Sequence, residues 1–266
     1  MKPEIIIILS IFGGFILLEA LFTKFASKPD QRPKDVWVEI ISSGVLLLLV
    51  QPMVILASQK LMKWGIPNLE DSLKTISFVV GFGLFLIFDD MTQYFWHRLS
   101  HTLPWLYNLH RPHHDGTYMS VRIVYRNNIF FYAMMPGIWL SGALIYMGLG
   151  DVYAVYLICK MAVIIGAHSD VRWDEPLYKI KALSPLMWVI ERTISTPATH
   201  SAHHGRHADD GITNYKGNFG NFLFFWDVLF GTAKITRKYP ELIGVENLPE
   251  VSATEQLIWP LVRTKS

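Results

Sequence analysis

The chain has 266 residues, of which 51% are apolar and 17% are charged, and its formal net charge is +2. Soluble domains carry about a quarter charged residues, so much of this surface is expected to face lipid. A net charge so close to zero argues against a nucleic-acid partner. The single cysteine, Cys159, excludes an intramolecular disulfide.

Five apolar stretches are candidate membrane spans, because about 20 mostly apolar residues cross a bilayer as a helix. The first could be a signal peptide, but no small-residue cleavage site follows it, which favours a retained membrane helix. The last two are separated by residues 148–151, which allow only a tight hairpin. The predicted spans are 5–22, 36–57, 73–95, 129–149 and 152–167.

Basic residues favour one orientation of these spans. The loop after the first span is basic and segment 97–127 contains four arginines, whereas the 148–151 hairpin contains neither Lys nor Arg. By the positive-inside rule, the N-terminus lies outside, and segment 97–127 and the part after residue 167 lie in the cytosol. Three lysines fall on the opposite side and weaken this prediction: Lys60, Lys63 and Lys74.

The histidines are confined to one part of the chain. All ten lie between residues 97 and 207, and scattered core or surface histidines would not leave the first 96 and last 59 residues empty. Nine of them form three clusters, H-R-L-S-H at 97–101, H-R-P-H-H at 110–114 and H-S-A-H-H-G-R-H at 200–207, and His168 stands alone at the end of the fifth span. This pattern predicts a metal site.

The spacing of the clusters suits two metal ions. His97 and His101 are four residues apart, so both project from one face of a helix. In each H-x-x-H-H cluster the first two histidines are expected to share a face and the third to point about 100° away. One such cluster can therefore serve two metals, or two sides of one. The predicted ligands are His97, His101, His110, His113, His114, His168, His200, His203 and His204.

The type of donor narrows the choice of metal. All-nitrogen ligation suits Fe, Zn, Cu or Ni and argues against Mg or Ca. A hydrolytic zinc site is disfavoured because the first cluster lacks the glutamate of H-E-x-x-H. Two metals with four or five ligands each would use the nine histidines, and no catalytic residue is predicted beyond these ligands.

Three further residues are candidates for supporting roles. Asp90 and Tyr94 lie on the same helical stripe as His97, where either can orient a ligating ring. Asp90 can equally be a membrane-end residue that reaches to water. His207 is expected in a supporting or surface position rather than as a tenth ligand.

The three histidine boxes in this order resemble the sterol desaturase and fatty acid hydroxylase superfamily. The likeness runs from about Asp90 to Thr232 and includes P-W-L-Y at 104–107, T-P at 196–197 and W-D-V-L-F-G-T at 226–232. Around the third box the chain looks most like the alkylglycerol monooxygenase branch. The family's Asn-Tyr-Gly is altered, since Lys216 precedes Gly217 and 218–220 offers a second match.

The resemblance implies a membrane-bound di-iron oxidoreductase that uses O2 and external electrons to hydroxylate or desaturate a lipid. It implies two iron ions held by the eight box histidines, with His168 resembling the family's lone histidine between the second and third boxes; zinc can replace iron in isolated protein. The electron donor would be a cytochrome b5, a ferredoxin or a reductase. Sterol, acyl chain, ether lipid and carotenoid all remain open as substrates. A non-enzymatic metal transporter or sensor is the alternative.

The predicted architecture is an all-α integral membrane protein with four or five transmembrane helices and a cytosolic helical cap that holds the di-metal site. We expect one domain over 1–266, with membrane helices in 1–88, the histidine boxes in 89–235 and a tail in 236–266. The aromatic segment 218–226 is interpreted as an interfacial anchor or a wall of the substrate tunnel. Four basic residues could receive an acidic electron donor or lipid headgroups, or form a solvated face: Arg122, Arg126, Lys179 and Lys181.

Overall fold

A computed structural model describes residues 3–28 and 30–264, so Met1, Lys2, Pro29 and the last two residues of the predicted 1–266 domain lie outside it. Regular structure within the described ranges is helical, apart from two isolated β-bridges, Ile194 with Leu223 and Gly205 with Ile243. The helices are α1 Pro3–Phe22, α2 Pro33–Gly65, α3 Phe78–Ser100, α4 Pro104–His114, α5 Ile129–Ala133, α6 Pro136–Leu144, α7 Gly150–His168, α8 Glu175–Tyr178, α9 Ser184–Thr193, α10 Pro197–His204, α11 Phe225–Leu229 and α12 Ala253–Ile258.

Among the described residues, four helical stretches are long and apolar enough to cross a membrane, namely α1, α2, α3 and the combined α6–α7 stretch Pro136–His168. Their large apolar side chains are widely exposed, as at Leu48 and Val79, which are both 77% exposed. Among the described residues of α1, Glu19 is the one that is buried. Apolar surface on this scale marks a lipid interface, which confirms the predicted all-helical membrane architecture.

The predicted spans differ from the helices at several ends. α3 begins at Phe78 rather than 73, because Ser77 caps it by accepting a hydrogen bond from the Val80 N–H. The predicted span 129–149 is divided, since α5 ends at Ala133 and Pro136 begins α6. Proline is favoured in the first turn of a helix and lacks the N–H that would continue one.

The predicted hairpin is present between α6 and α7. Gly148 has a φ of 100°, which favours glycine. Asp89 of α3 lies beside both arms, since its Oδ2 is 2.7 Å from the Lys160 Nζ of α7 and its Oδ1 lies against Gly137 of α6. The two arms therefore run antiparallel beside α3 and bring the end of α7 back to the end of α3.

A buried polar network joins the N-terminal helices to the segment after the second histidine box. Arg126 is fully buried and pairs with Asp35 at 2.7 Å. Arg122 pairs with Glu39 at 2.7 Å, and Glu19 accepts hydrogen bonds from the Ser120 hydroxyl and the Val121 N–H. Arg122 and Arg126 therefore serve this internal network, and the interpretation of them as a docking or solvated face is wrong.

Candidate metal centre

Four helices place their C-terminal ends around one buried space. α3 ends just after His97, α4 ends at His114, α7 ends at His168 and α10 ends at His204. The C-terminus of a helix carries partial negative charge and stabilises a nearby cation. Convergence of four such ends therefore favours positive charge at the point where the histidines meet.

The nine predicted ligands form two groups, and within each group one nitrogen from every histidine lies within 4.8 Å of the others. We call them the five-histidine group and the four-histidine group. The first consists of His97, His101, His110, His114 and His203, and the second of His113, His168, His200 and His204. His168, which no box contains, is thus placed beside members of the second and third boxes.

The division of each H-x-x-H-H cluster follows a different spacing from the one expected. His110 and His114 share the five-histidine group, and His200 and His204 share the four-histidine group. In both clusters the members of one group are therefore four residues apart, and the middle histidine belongs to the other group. The pairing at a separation of three was wrong, but each cluster does contribute to both groups.

Five of the rings are oriented through their Nδ1 atoms. His97 and His203 lie 2.7 Å from the carbonyl oxygens of Phe219 and Gly217. The remaining three acceptors are the Ile123 carbonyl for His113, the Ile164 carbonyl for His168 and the Asn127 side-chain oxygen for His110. A carbonyl oxygen accepts only, so each Nδ1 carries the hydrogen and each Nε2 presents a lone pair.

These lone pairs face one another at short distance. The Nε2 atoms of His97 and His203 are 3.0 Å apart, and those of His113 and His168 are 3.4 Å apart. Two lone pairs at this separation repel unless a cation lies between them. With metal–nitrogen bonds of about 2.1 Å, neighbouring ligand nitrogens lie about 3.0 to 3.4 Å apart, so the residues fit a metal in each group.

Unpaired nitrogens point to the same conclusion. Among the described residues, His101 Nε2, His200 Nδ1 and both nitrogens of His204 are buried without a hydrogen-bond partner. Burial, reinforced by neighbouring rings, lowers the pKa of His200 and His204 well below 6.5. Both rings are therefore neutral at pH 7, and neutral imidazole is the form that binds a metal.

Asp90, Tyr94 and His207, which were predicted to support the ligands, make no hydrogen bond to a ring of either histidine group in the described structure. Asp90 accepts hydrogen bonds from the Leu223 N–H and the Trp226 indole, at 3.2 and 2.8 Å. The Tyr94 hydroxyl bonds Thr232 at 2.9 Å. Both residues thus attach α3 to the 219–232 segment rather than to a ligating ring. His207 lies outside both groups, partly exposed and 3.6 Å from Glu246.

The W-D-V-L-F-G-T sequence at 226–232 holds the loop that orients two of the ligands. Asp227 is fully buried and accepts hydrogen bonds from the N–H groups of Phe219 and Gly220. This fixes the Phe219 carbonyl toward His97. A Cβ at Gly217 would lie 2.2 Å from the Thr232 carbonyl oxygen, so the loop that presents the Gly217 carbonyl to His203 requires glycine there.

Sequence reasoning missed these acceptors because backbone carbonyls have no signal in residue identity. The altered Asn-Tyr-Gly motif was the available indication, since Gly217 and 218–220 form this loop. Of the two interpretations of the aromatic segment 218–226, the interfacial anchor is wrong, because most of its rings are buried and Phe219 packs against His97 and His203. From this segment, Asn221 is the residue that lines the cavity described next.

In the described part of the chain, two cavities are lined by different histidines of the site. A cavity within the membrane helices is lined by His97 and His110 of one group and by His113 and His168 of the other. A second cavity, among the loops outside the membrane helices, is lined by His101 and His114 together with Arg206 and Lys216. The fold and site thus define a helical membrane protein with a buried histidine centre able to hold metal ions.

Comparison with known proteins gives the family. The sequence model of the fatty acid hydroxylase family matches residues 82–232, which is more than half of the chain, and this protein belongs to that family. It is 28% identical over 144 residues to the alkylglycerol monooxygenase of Danio rerio, and 27% identical over 143 residues to that of Homo sapiens. Each alignment covers 54% of this chain and 28% of the relative. No solved structure matches the chain.

Proposed function

We propose that this protein is a membrane-bound oxidoreductase that uses two iron ions and O2 to hydroxylate, or desaturate, a membrane lipid. The observation that carries the proposal is that both histidine groups border the cavity inside the membrane helices. A substrate bound in this cavity would therefore lie beside the centre and within the membrane helices. The family and the alkylglycerol monooxygenase relatives support a lipid as the substrate class.

The ligands proposed for the two irons are the nine histidines of the two groups. When bound, the irons would supply O2 activation and the oxidising power for cleavage of a C–H bond. The protein's own part is to hold nine neutral nitrogens in fixed directions, through the five anchored Nδ1 atoms, and to exclude water. Zinc has a similar preference for imidazole and ranks above ferrous iron in intrinsic affinity, so we expect it as a substitute in isolated protein.

Electrons must come from outside the chain, and the second cavity is the proposed entry. His101 and His114 of the five-histidine group line it, so a donor docked there would lie next to one metal. A cytochrome b5, a ferredoxin or a reductase would serve. We place this side in the cytosol, because the basic segment 97–127 lies at this end of the bundle and the 148–151 hairpin at the other.

A metal transporter or sensor accounts less well for the site. Transport sites usually lie near the bilayer midplane on broken helices. Here the candidate ligands lie at helix C-termini, and the four-histidine group is buried and borders the membrane cavity through His113 and His168. An oxygenase needs this access to lipid, whereas a transporter needs a water-filled path.

Comparative lipid profiling tests the proposal directly. Cells that express the wild-type chain with iron supplied should contain a new oxygenated or unsaturated lipid, which cells expressing His113→Ala should lack. The metal content of both purified proteins is measured in parallel by mass spectrometry. A wild-type protein that binds two metals and leaves every lipid unchanged would overturn the enzymatic proposal and favour a metal-binding role.

A further inference from the structure

The membrane cavity contains a set of polar side chains at some distance from the histidines. Four membrane helices contribute to it, and we call the set the polar belt. Asp89, Gln93, Ser141 and Lys160 are each at least 90% buried, although they lie within apolar helices. The belt consists of Gln51 of α2, Asp89 and Gln93 of α3, Ser141 of α6 and Lys160 of α7, all of which line the cavity.

The charges in the belt neutralise each other. Lys160 Nζ lies 2.7 Å from Asp89 Oδ2, and both side chains are buried. Ionisable groups within a membrane are costly and are functional candidates for that reason. Because the pair is internally neutral, a carboxylate or phosphate entering the cavity would find no free counter-ion. The belt is therefore suited to a neutral polar group.

Two members of the belt lack the hydrogen bonds that burial demands. Among the described residues, Gln93 Oε1 and Ser141 Oγ are buried without any partner. A helical serine can usually bond the carbonyl four residues earlier, but Ser141 does not. In an apolar medium an unpaired polar atom is expensive. Since both side chains line the cavity, a ligand there can supply the missing partners.

The chemistry of these atoms limits what the ligand can be. The Gln93 amide offers one acceptor and one donor, whichever way its two ends are assigned, and the Ser141 hydroxyl offers both as well. A partner that satisfies an acceptor must donate a hydrogen. A hydroxyl group both donates and accepts, whereas an ether, an ester or a ketone only accepts.

The belt lies about one to two helical turns from the histidines, measured along the helices that contain both. Gln93 precedes His97 by four residues, which corresponds to about 6 Å along the helix axis. Asp89 precedes His97 by eight residues and Lys160 precedes His168 by eight, so two different helices place the ion pair about 12 Å from the histidines. The same cavity is lined by the ion pair and by histidines of both groups.

We propose that the polar belt binds a hydroxyl group of the lipid substrate and thereby determines which carbon faces the metal centre. Gln93 and Ser141 are the residues that would bond the hydroxyl, with Gln93 about 6 Å along the helix axis from His97. The inference rests on the proposed function for the reaction that follows, but hydroxyl binding is a separate property that can be measured without turnover.

The test compares binding of 1-hexadecanol with binding of its methyl ether, which has the same chain but no hydrogen to donate. Native mass spectrometry of the purified protein in detergent gives both affinities. We expect wild type to prefer the alcohol about tenfold, the value of one good hydrogen bond. Gln93→Met, which keeps the side-chain length, should lose this preference, and so should the smaller change Ser141→Ala.

Thr92→Val is the matched control. Thr92 is the neighbour of Gln93, but its hydroxyl is bonded to the Phe88 and Asp89 carbonyls of its own helix, so this variant should keep the preference for the alcohol. Equal affinities of wild type for the two compounds would mean that water fills the belt, and would overturn the proposal. The proposal would also be overturned if both Gln93→Met and Ser141→Ala bound the alcohol as wild type does.

The binding test is repeated on His203→Ala, which is expected to be inactive. His203→Ala should keep the preference for the alcohol, since Gln93 and Ser141 are unchanged in it. A wild-type protein that prefers the alcohol but oxidises no lipid would support the belt and contradict the proposed enzyme. A wild-type protein that oxidises lipid but shows no preference for the alcohol would contradict the belt and support the proposed enzyme. In active protein, alcohols of different length should be oxidised at a constant number of carbons from the hydroxyl, and a variable number would contradict the proposal.

Discussion

The two histidine groups are built from the same kind of ligand but differ in number and in surroundings. The five-histidine group borders both the membrane cavity and the cavity among the loops, through His97 and His110 on one side and His101 and His114 on the other. The four-histidine group borders only the membrane cavity among those described, through His113 and His168. His101, in the five-histidine group, is the one member of the two groups that is not fully buried.

This difference suggests that metals in the two groups would have different roles. A metal in the five-histidine group would have a protein ligand to spare and a route to a donor in water. A metal in the four-histidine group would depend on every ligand and would border only the membrane cavity among those described.

The largest effect is expected from removing one ligand of either group. His203→Ala and His113→Ala should each lower turnover more than about 100-fold, because even a change in the groups that orient a ligand costs 10 to 100-fold. Product formation by mass spectrometry measures the effect, and circular dichroism checks that the helices remain. Near-normal turnover in either variant would show that the histidine group containing the substituted residue is not part of the catalytic centre.

A matched pair of substitutions then separates the groups by metal content. His168→Gln leaves three histidines in its group, and we expect bound metal to fall from about two ions to about one, since stable sites usually have four ligands. His101→Gln leaves four histidines, and the count should remain about two. Mass spectrometry of iron-loaded protein counts the ions. Equal loss in both variants would contradict the distinction between the groups.

A smaller effect is expected from the group that orients His110. Asn127→Ala removes the oxygen that accepts from His110 Nδ1, and the affinity of the five-histidine group for metal should fall about 10 to 100-fold. Asn127 also donates to the Tyr132 hydroxyl at 2.9 Å. Tyr132→Phe removes that second bond alone and serves as the control, so chelator titration should show little change in it.

The smallest effect is expected at His207. Its side chain is partly exposed and lies near Glu246, away from both groups. His207→Ala should change the free energy of unfolding by less than about 0.5 kcal/mol and leave the metal content as in wild type. A loss of metal in this variant would show that the loop after the third box takes part in ligation.

Membrane helices and the candidate metal-binding histidines could be predicted from the sequence because each depends on local features. Length and apolar content mark a span wherever it lies, and ten histidines confined to residues 97–207 are improbable without a metal site. The tight hairpin at 148–151 was predicted for the same reason, since too few residues are available for any other connection.

Three properties of the site were decided by tertiary structure. Helix packing divides the histidines into five and four and places His168 beside His113 and His200. The carbonyls of Phe219 and Gly217 reach His97 and His203 only after the chain has folded back. Side-chain type says which atoms can bind a metal, but distances between residues more than 100 positions apart depend on how the helices pack.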